Sequence, residues 1–194
     1  DYTEYSIIPD FIWSNYQYIF EGCFDFNVDA CLTFRTYAST LFYCFFAWLL
    51  TLIIGFTVAF FLAFHVRSIP LQIALFLLCT IPFWTSNVIR MVSWIPLLGR
   101  NGLFNDFLLN LGVIQSPVEW FLYSPFAVLL AFVHLYTLFM IVPIFNSMIR
   151  IDNSIIEAAY DSGSSGLQIL TNIIIPLCKP GILIGSIFVI TVVM

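Results

Sequence analysis

The polar stretch from Asp152 to Pro176 lies between two long apolar runs and holds the most distinctive spacing of side chains in the sequence. In chain order, the residues that define this spacing are Glu157, Ala158, Ala159, Gly163, Ile173 and Pro176. Small side chains let a helix lie close against a partner, because larger ones hold two surfaces apart. The pattern therefore favours a helix that can lie close against a neighbouring surface, with one carboxylate on it.

Local signals within this stretch predict two short helices. Ser154 and Glu157 have the spacing of a capping box, in which Ser154 caps the first helix and Glu157 reaches back to the Ser154 amide. Helical spacing then places four residues on one face: Ile155, Ala158, Ala159 and Ser162. Gly163 is expected to end this helix at positive φ, and a second helix over 167–173 is expected to stop at Pro176. The residues alone leave open whether Glu157 caps its own helix or contacts a partner.

No group of side chains has the spacing of a catalytic or metal site. Ser86 and His134 lie in apolar runs without a matching base or nucleophile, and no phosphate-binding Gly-x-x-x-x-Gly-Lys-Ser/Thr loop is present. The five cysteines, at 23, 31, 44, 79 and 178, show no metal-ligand spacing, although Cys23 and Cys31 could pair in an oxidising compartment. We expect no catalytic residue, no metal and no cofactor on this chain, which disfavours the alternative of an intramembrane enzyme.

Composition places the chain in a membrane. It is 61% hydrophobic and 9% charged, with a mean hydropathy of +1.01. A soluble domain needs a charged shell that this sequence does not supply, and long uncharged runs are typical of membrane spans. Because the basic residues do not cluster, nucleic acid is not an expected partner. Membrane lipid is an expected partner, because the long uncharged runs must lie in a membrane. The expected class is an all-α polytopic membrane protein.

The apolar runs predict a single transmembrane domain over 1–194. The acidic segment 1–36 is expected to be external. The predicted spans are about 37–64, 69–98 with a kink at Pro82, 121–148, and 181–194, which is too short to cross. We therefore expect a fragment that lacks an early helix and the C-terminal end. Between the second and third spans, an interfacial helix is predicted from the apolar pattern Leu103, Phe104, Phe107, Leu108 and Leu111.

The polar stretch resembles the EAA loop of permease subunits in binding-protein-dependent ABC importers, whose pattern is E-A-A-x3-G-x9-I-x-L-P. The only departure is Ile175, where the family usually has Leu. The resemblance implies the type I permease fold, a MetI-like helical bundle in the bacterial inner membrane, with 149–180 as a cytoplasmic loop. It also implies that Glu157 and Gly163 lie at the contact with a dimer of ATP-binding cassette subunits, which use the ATP. A second permease subunit and an extracytoplasmic solute-binding protein are further implied partners.

A second resemblance is to permeases of the polyamine (spermidine/putrescine) type. It rests on Ile81-Pro82-Phe83-Trp84-Thr85-Ser86, Ile89-Arg90, Trp94, Asn101-Gly102-Leu103-Phe104-Asn105, Leu111-Gly112-Val113-Ile114 and Ile149-Arg150-Ile151-Asp152. With the EAA loop the likeness covers roughly 37–190. The substrate class that it implies is a polyamine, and the alternatives are an importer of another small organic solute, a channel without an ATPase, or a membrane scaffold.

Four residues are candidates for the solute path: Trp84, Arg90, Trp94 and Tyr136. Aromatic faces attract cations, but no Asp or Glu lies inside a predicted span, and Arg90 would repel a cation if it faced the path. Snorkelling or a structural pair is the alternative role for Arg90, and an interhelical hydrogen bond is the favoured role for His134. Selectivity is therefore expected to reside mainly in the separate binding protein.

Overall fold

The computed structural model describes residues 13, 16–17, 32–114, 116–118 and 121–194. Most of the predicted external segment and the pair Cys23 and Cys31 lie outside the described residues. The chain divides into two compact units, Asp1–Phe42 and Tyr43–Met194. Every regular element in the described ranges is helical, so the prediction of an all-α protein is confirmed. Three of these helices are long and apolar enough to cross a membrane, and a bent pair adds a fourth if it counts as one span.

Helix α1, Leu32–Phe60, continues through a π-helical turn, Phe61–His65. The next helix, α2, is Ile69–Thr80 and has Pro70 in its first turn, where the missing amide is tolerated. Gln72 is buried, and its Nε2 donates to the Leu62 carbonyl oxygen at 2.9 Å. This bond satisfies a carbonyl in the turn at the end of α1, where regular helical pairing stops.

The second apolar run is a broken helix rather than the single kinked span predicted over 69–98. A 3₁₀ turn, Ile81–Trp84, follows α2, and three short helices come after the break: α3, Asn87–Val92; α4, Ile95–Leu98; and α5, Leu103–Asn110. The segments before and after the break are bent by 92°. Pro82 removes one backbone donor, and Thr85 and Ser86 are both extended, so the helical ladder cannot continue.

The third long helix, α6, is Pro125–Met148. Ser124 caps it, because its Oγ accepts a hydrogen bond from the Ala127 amide at 3.2 Å, and Pro125 occupies the first turn. The polar stretch follows as helix α7, Asn153–Asp161, and helix α8, Gly166–Ile169.

The last apolar helix begins earlier than predicted. After α8 the chain continues through a π-helical turn, Leu170–Ile174, into α9, Ile175–Val193, and the helical run Gly166–Val193 has 28 residues. The predictions that Pro176 stops a helix and that the last helix is too short to cross are therefore wrong. Pro176 lies in the first turn of α9. Proline has no backbone N–H to donate, and the wider π turn ahead of it accommodates the missing hydrogen bond.

The core of the second unit forms where α6 meets α9 and α1. Met140 is fully buried on α6, and a Cβ added at Gly185 of α9 would lie 2.8 Å from its Sδ. From the α1 side, a Cβ added at Gly55 would lie 2.9 Å from Met140 Cβ. Gly181 lies even closer to α6, against the backbone carbonyl of Pro143. Small residues thus let three helices approach closely, as is common between helices in membranes.

We predict that Gly181→Ala destabilises the chain more than Gly185→Ala. At Gly181 the obstacle is a backbone carbonyl, whereas at Gly185 it is chiefly the flexible end of Met140. The expected losses are about 2–3 kcal/mol for Gly181→Ala and about 1 kcal/mol for Gly185→Ala. Denaturant unfolding in detergent measures both.

Val192→Ile is the matched control, because it adds one methylene to an exposed position of the same helix. Equal stability of Gly181→Ala and the parent chain would contradict the packing described for α6 and α9.

Candidate coupling loop and solute path

Helix α7 is capped by Asp152, and the predicted capping box of Ser154 and Glu157 is absent. Asp152 is extended, at φ −68° and ψ 130°, and its Oδ1 accepts a hydrogen bond from the Ser154 amide at 3.0 Å. This backbone hydrogen bond, together with one from the Ser154 hydroxyl, lowers the pKa of the Asp152 carboxyl from its ordinary value. Because the helix begins at Asn153, Ser154 already lies in the first turn and cannot act as its cap.

Glu157 is exposed, and within the described residues its carboxylate makes no hydrogen bond or ion pair. The capping box of this loop lies instead at the start of α8. There the Ser165 amide donates to Gln168 Oε1 at 2.8 Å, and the Gln168 amide donates to Ser165 Oγ at 3.4 Å. Glu157 is thus free of the capping role that the sequence left open for it.

The four residues of the predicted small-residue face of α7 differ in burial. Ala159 is half-buried and, with Ile156, packs against the core cluster that contains Met148 and Ile169. Ile155 and Ala158 are exposed, as is Ser162. The difference arises because Ile156 and Ala159, three residues apart, give α7 an apolar side toward the core. The predicted face is therefore exposed except at Ala159, which lies at its edge toward the core.

Gly163 ends α7 as predicted, with φ +80°. The Ser164 amide donates to the Ala159 carbonyl at 3.0 Å, and the Gly163 amide donates to the Tyr160 carbonyl at 2.9 Å. These two bonds form a Schellman motif, which needs the left-handed conformation that glycine adopts most easily. A Cβ added at Gly163 would meet nothing within 4 Å, so backbone conformation alone explains the glycine at this position.

The last two predicted docking residues differ in exposure. Ile173 is half-buried and packs against the core cluster, whereas Pro176 is exposed. Sequence reasoning missed two exposed apolar side chains of the loop, Tyr160 (56%) and Leu167 (75%). We use the name coupling surface for the exposed residues Ile155, Glu157, Ala158, Tyr160, Gly163 and Leu167.

The four predicted path residues are not gathered into one cluster. Trp84 is 85% exposed at the bend after α2, and no ring contact joins it to another described residue. Trp94 is half-buried and packs edge-on against His134 of α6, with ring centroids 5.5 Å apart. Tyr136 lies beside Phe132 and Phe139 on the same helix, at 5.9 and 6.3 Å. Arg90 is buried at 7% exposure and turns back onto its own segment.

Asn105 is a buried polar residue that sequence reasoning did not single out. Its Nδ2 donates to the carbonyls of Gly99 and Val118, both at 2.9 Å, and its Oδ1 accepts from the Val118 amide at 3.2 Å. Asn105 is fully buried, although it lies among the apolar residues of α5. The available signal was an amide side chain within an otherwise apolar helical pattern. Its effect is to tie both ends of the loop 99–118 to α5.

We predict that Gly163→Ala weakens the end of α7 by about 1–2 kcal/mol, because an L side chain resists positive φ. Gly163→Asn is the matched control, since asparagine tolerates this conformation better. Hydrogen exchange at the Ser164 amide is expected to accelerate in the alanine variant and much less in the asparagine variant. Equal exchange in both variants would contradict the described role of Gly163.

Asn105→Ala is predicted to open the loop 99–118, because it removes the hydrogen-bond partner of one part-buried amide and two part-buried carbonyls. The expected cost is about 1–3 kcal/mol, measured as faster limited proteolysis within this loop. Asn110→Ala, at an exposed position of α5, is the control. A cleavage rate no higher than that of the control would show that the side chain of Asn105 does not hold the loop.

Comparison with known proteins identifies relatives in several bacteria. The spermidine/putrescine transport system permease protein PotB of Escherichia coli (strain K12) is 39% identical over 143 residues, or 74% of this chain and 51% of that protein. PotB of Haemophilus influenzae is 34% identical over 144 residues, or 74% and 49%. The inner membrane ABC transporter permease protein YdcU of Escherichia coli (strain K12) is 25% identical over 194 residues, or 94% and 58%.

No family model matches the chain. The chain spans about half the length of the relatives that it matches. The helices long enough to cross a membrane and the inner-membrane permease relatives agree on a multi-pass protein of the bacterial inner membrane. With these relatives and its EAA spacing, the chain belongs to the family of permease subunits of ABC importers, together with the spermidine/putrescine permeases.

Proposed function

We propose that this chain forms part of the solute path of an ATP-driven polyamine importer and is driven through its EAA loop. The observation that carries the proposal is the state of Glu157: it lies exposed on α7, with no hydrogen bond or ion pair within the described residues. An exposed carboxylate on a helix with a fixed start and end suits a contact with another protein. The relatives named as spermidine/putrescine permeases support polyamines as the substrate class.

Movement of α7 would reach the membrane helices through two routes. One route is direct packing. Ile156 and Ala159 lie on the less exposed side of α7 and pack against the core cluster, which includes Met148 at the end of α6. Along the chain, α8 leads without a helical break into α9, which packs against α6. A displaced coupling surface would therefore move α6 and α9 together, because close-packed interfaces transmit displacement.

The energy source and the partners follow from this role. An ATPase dimer would bind the coupling surface and hydrolyse ATP, so the permease would carry out no covalent chemistry and bind no cofactor. A second permease subunit would complete the path, and an extracytoplasmic binding protein would deliver the solute. Glu157, Ala158, Gly163 and Pro176 are exposed and would touch the ATPase, while Ala159 and Ile173 would support the loop from the core side.

Polyamines are compatible with the positions of the candidate path residues. The Arg90 guanidinium donates to the Thr85 carbonyl and to Asn87 Oδ1 at the bend of its own segment. It therefore need not face the path and repel a cation there. Trp84 exposes an aromatic face, which attracts ammonium groups, and Trp94 and Tyr136 are partly accessible. With no carboxylate inside the described long helices, cation binding in the path would be weak, which suits transit rather than retention.

Coupling is tested with Glu157→Lys in the assembled transporter. Reversal of the charge at the contact is expected to reduce co-purification of the ATPase and ATP-driven uptake by about tenfold or more, since an unpaired interface charge costs about 2–5 kcal/mol. Asp106→Lys is the charge-matched control, at an exposed position of α5 outside the coupling loop. Unchanged association and uptake in Glu157→Lys would reject the proposed contact.

The substrate is tested separately, with membrane vesicles that contain the whole transporter. Labelled spermidine or putrescine is expected to accumulate only when ATP and the binding protein are supplied. Accumulation of a different small organic solute instead would overturn the polyamine assignment and keep the coupling proposal. Passage without ATP would identify a channel and reject both.

A further inference from the structure

The corner between Ile81–Trp84 and α3 has little regular backbone pairing to hold it. Thr85 and Ser86 link two segments bent by 92°, and both are extended, at ψ 150° and 138°. The Thr85 hydroxyl reaches back to the Pro82 carbonyl at 2.8 Å, and the Arg90 amide donates to the Ser86 carbonyl at 3.1 Å. The Thr85 carbonyl oxygen accepts its hydrogen bond from a side chain.

That side chain is Arg90. Its Nη2 donates to the Thr85 carbonyl at 3.2 Å and to Asn87 Oδ1 at 2.6 Å, so one nitrogen joins both sides of the corner. Arg90 is buried, with 7% of its surface exposed, and its Nε has no hydrogen-bond partner within the described part of the chain. A buried charge is costly, which indicates that its contacts matter at this place.

Trp84 directly precedes Thr85 and is 85% exposed. Because no ring contact with another described residue fixes the indole, its direction depends on the backbone of the corner. Thr85 therefore connects the two residues, because its amide nitrogen is bonded to Trp84 and its carbonyl oxygen accepts the hydrogen bond from Arg90. A change in the backbone of Thr85 alters the direction in which the Trp84 side chain leaves the chain.

We propose that Arg90 is a positioning residue, which holds the corner and thereby sets the direction in which Trp84 faces the solute path. This inference rests on the proposed transport function only for its effect on uptake. It differs from a direct role for Arg90 in contacting the solute, because both bonds of Nη2 are made to the chain itself.

The bonding pattern sets the choice of variants. A lysine Nζ can supply the two bonds that Nη2 makes, whereas methionine keeps an unbranched apolar stem and has no donor. Arg90→Lys should therefore retain the corner, and Arg90→Met should release it. Arg90→Lys also removes the unpartnered Nε, so its behaviour shows whether the two Nη2 bonds are sufficient.

Fluorescence of Trp84 tests the corner without reference to transport. The Trp84 signal of the purified complex is the difference between each protein and the same protein carrying Trp84→Phe. We expect Arg90→Met to shift the emission maximum and the iodide quenching of this signal, and Arg90→Lys to leave both close to those of the parent. An unchanged Trp84 signal in Arg90→Met would overturn the proposal, even if that variant unfolds at a lower temperature.

A double-mutant cycle in vesicle uptake tests the functional link. Arg90→Met and Trp84→Ala are each expected to reduce polyamine uptake by about tenfold, and the double variant to be no worse than Trp84→Ala alone, because the arginine acts through the tryptophan. Multiplied losses would show that Arg90 acts independently of Trp84 and would overturn the proposal. If the parent transporter carries no polyamine, the proposed substrate fails, while the fluorescence result still decides the role of Arg90.

Discussion

The close approach of α9 to α6 is the constraint on which the rest of the second unit depends. Gly181 lies against the Pro143 carbonyl and Gly185 against Met140, where a side chain would force the helices apart. Met140 also meets Gly55 of α1, so one buried residue joins three helices. Two side-chain hydrogen bonds accompany this packing. Trp48 Nε1 donates to Ser186 Oγ at 2.9 Å, and Gln72 Nε2 donates to the Leu62 carbonyl in the turn after α1.

In the proposed coupling, this packing would carry movement of the loop to the buried helices. The core cluster continues from Met140 through Met148 to Ile169 and Ile174, which lie on the path from α6 to the coupling loop. A π turn lies within that path, and another ends α1. Such turns interrupt regular helical pairing and are frequent at functional sites. The proposed coupling motion thus begins on a packed surface rather than on a free loop.

Composition and spacing were sufficient to predict the helical class and the glycine end of α7, because each follows from local chemistry. They were insufficient where two local rules compete. Pro176 predicts the end of a helix, yet after the π turn Leu170–Ile174 the helix continues through Pro176. Ser154 and Glu157 match a capping box, yet Asp152, two residues before Ser154, takes the cap. The bonds of Arg90 and Asn105 go to residues in a bend and a loop, Thr85 and Val118, and no periodic pattern reveals them.

The most direct measurement of the coupling account is site-specific crosslinking of α7 to the ATPase in the assembled transporter. Single cysteines at Ala158 and at Ala159 would be compared in a background with the five native cysteines replaced. Ala158 is exposed and Ala159 packs toward the core, so the two positions differ by one residue and by the side of the helix. The account predicts efficient crosslinking from Ala158→Cys and little from Ala159→Cys. The reverse order, or no crosslink to the ATPase from either position, would contradict it.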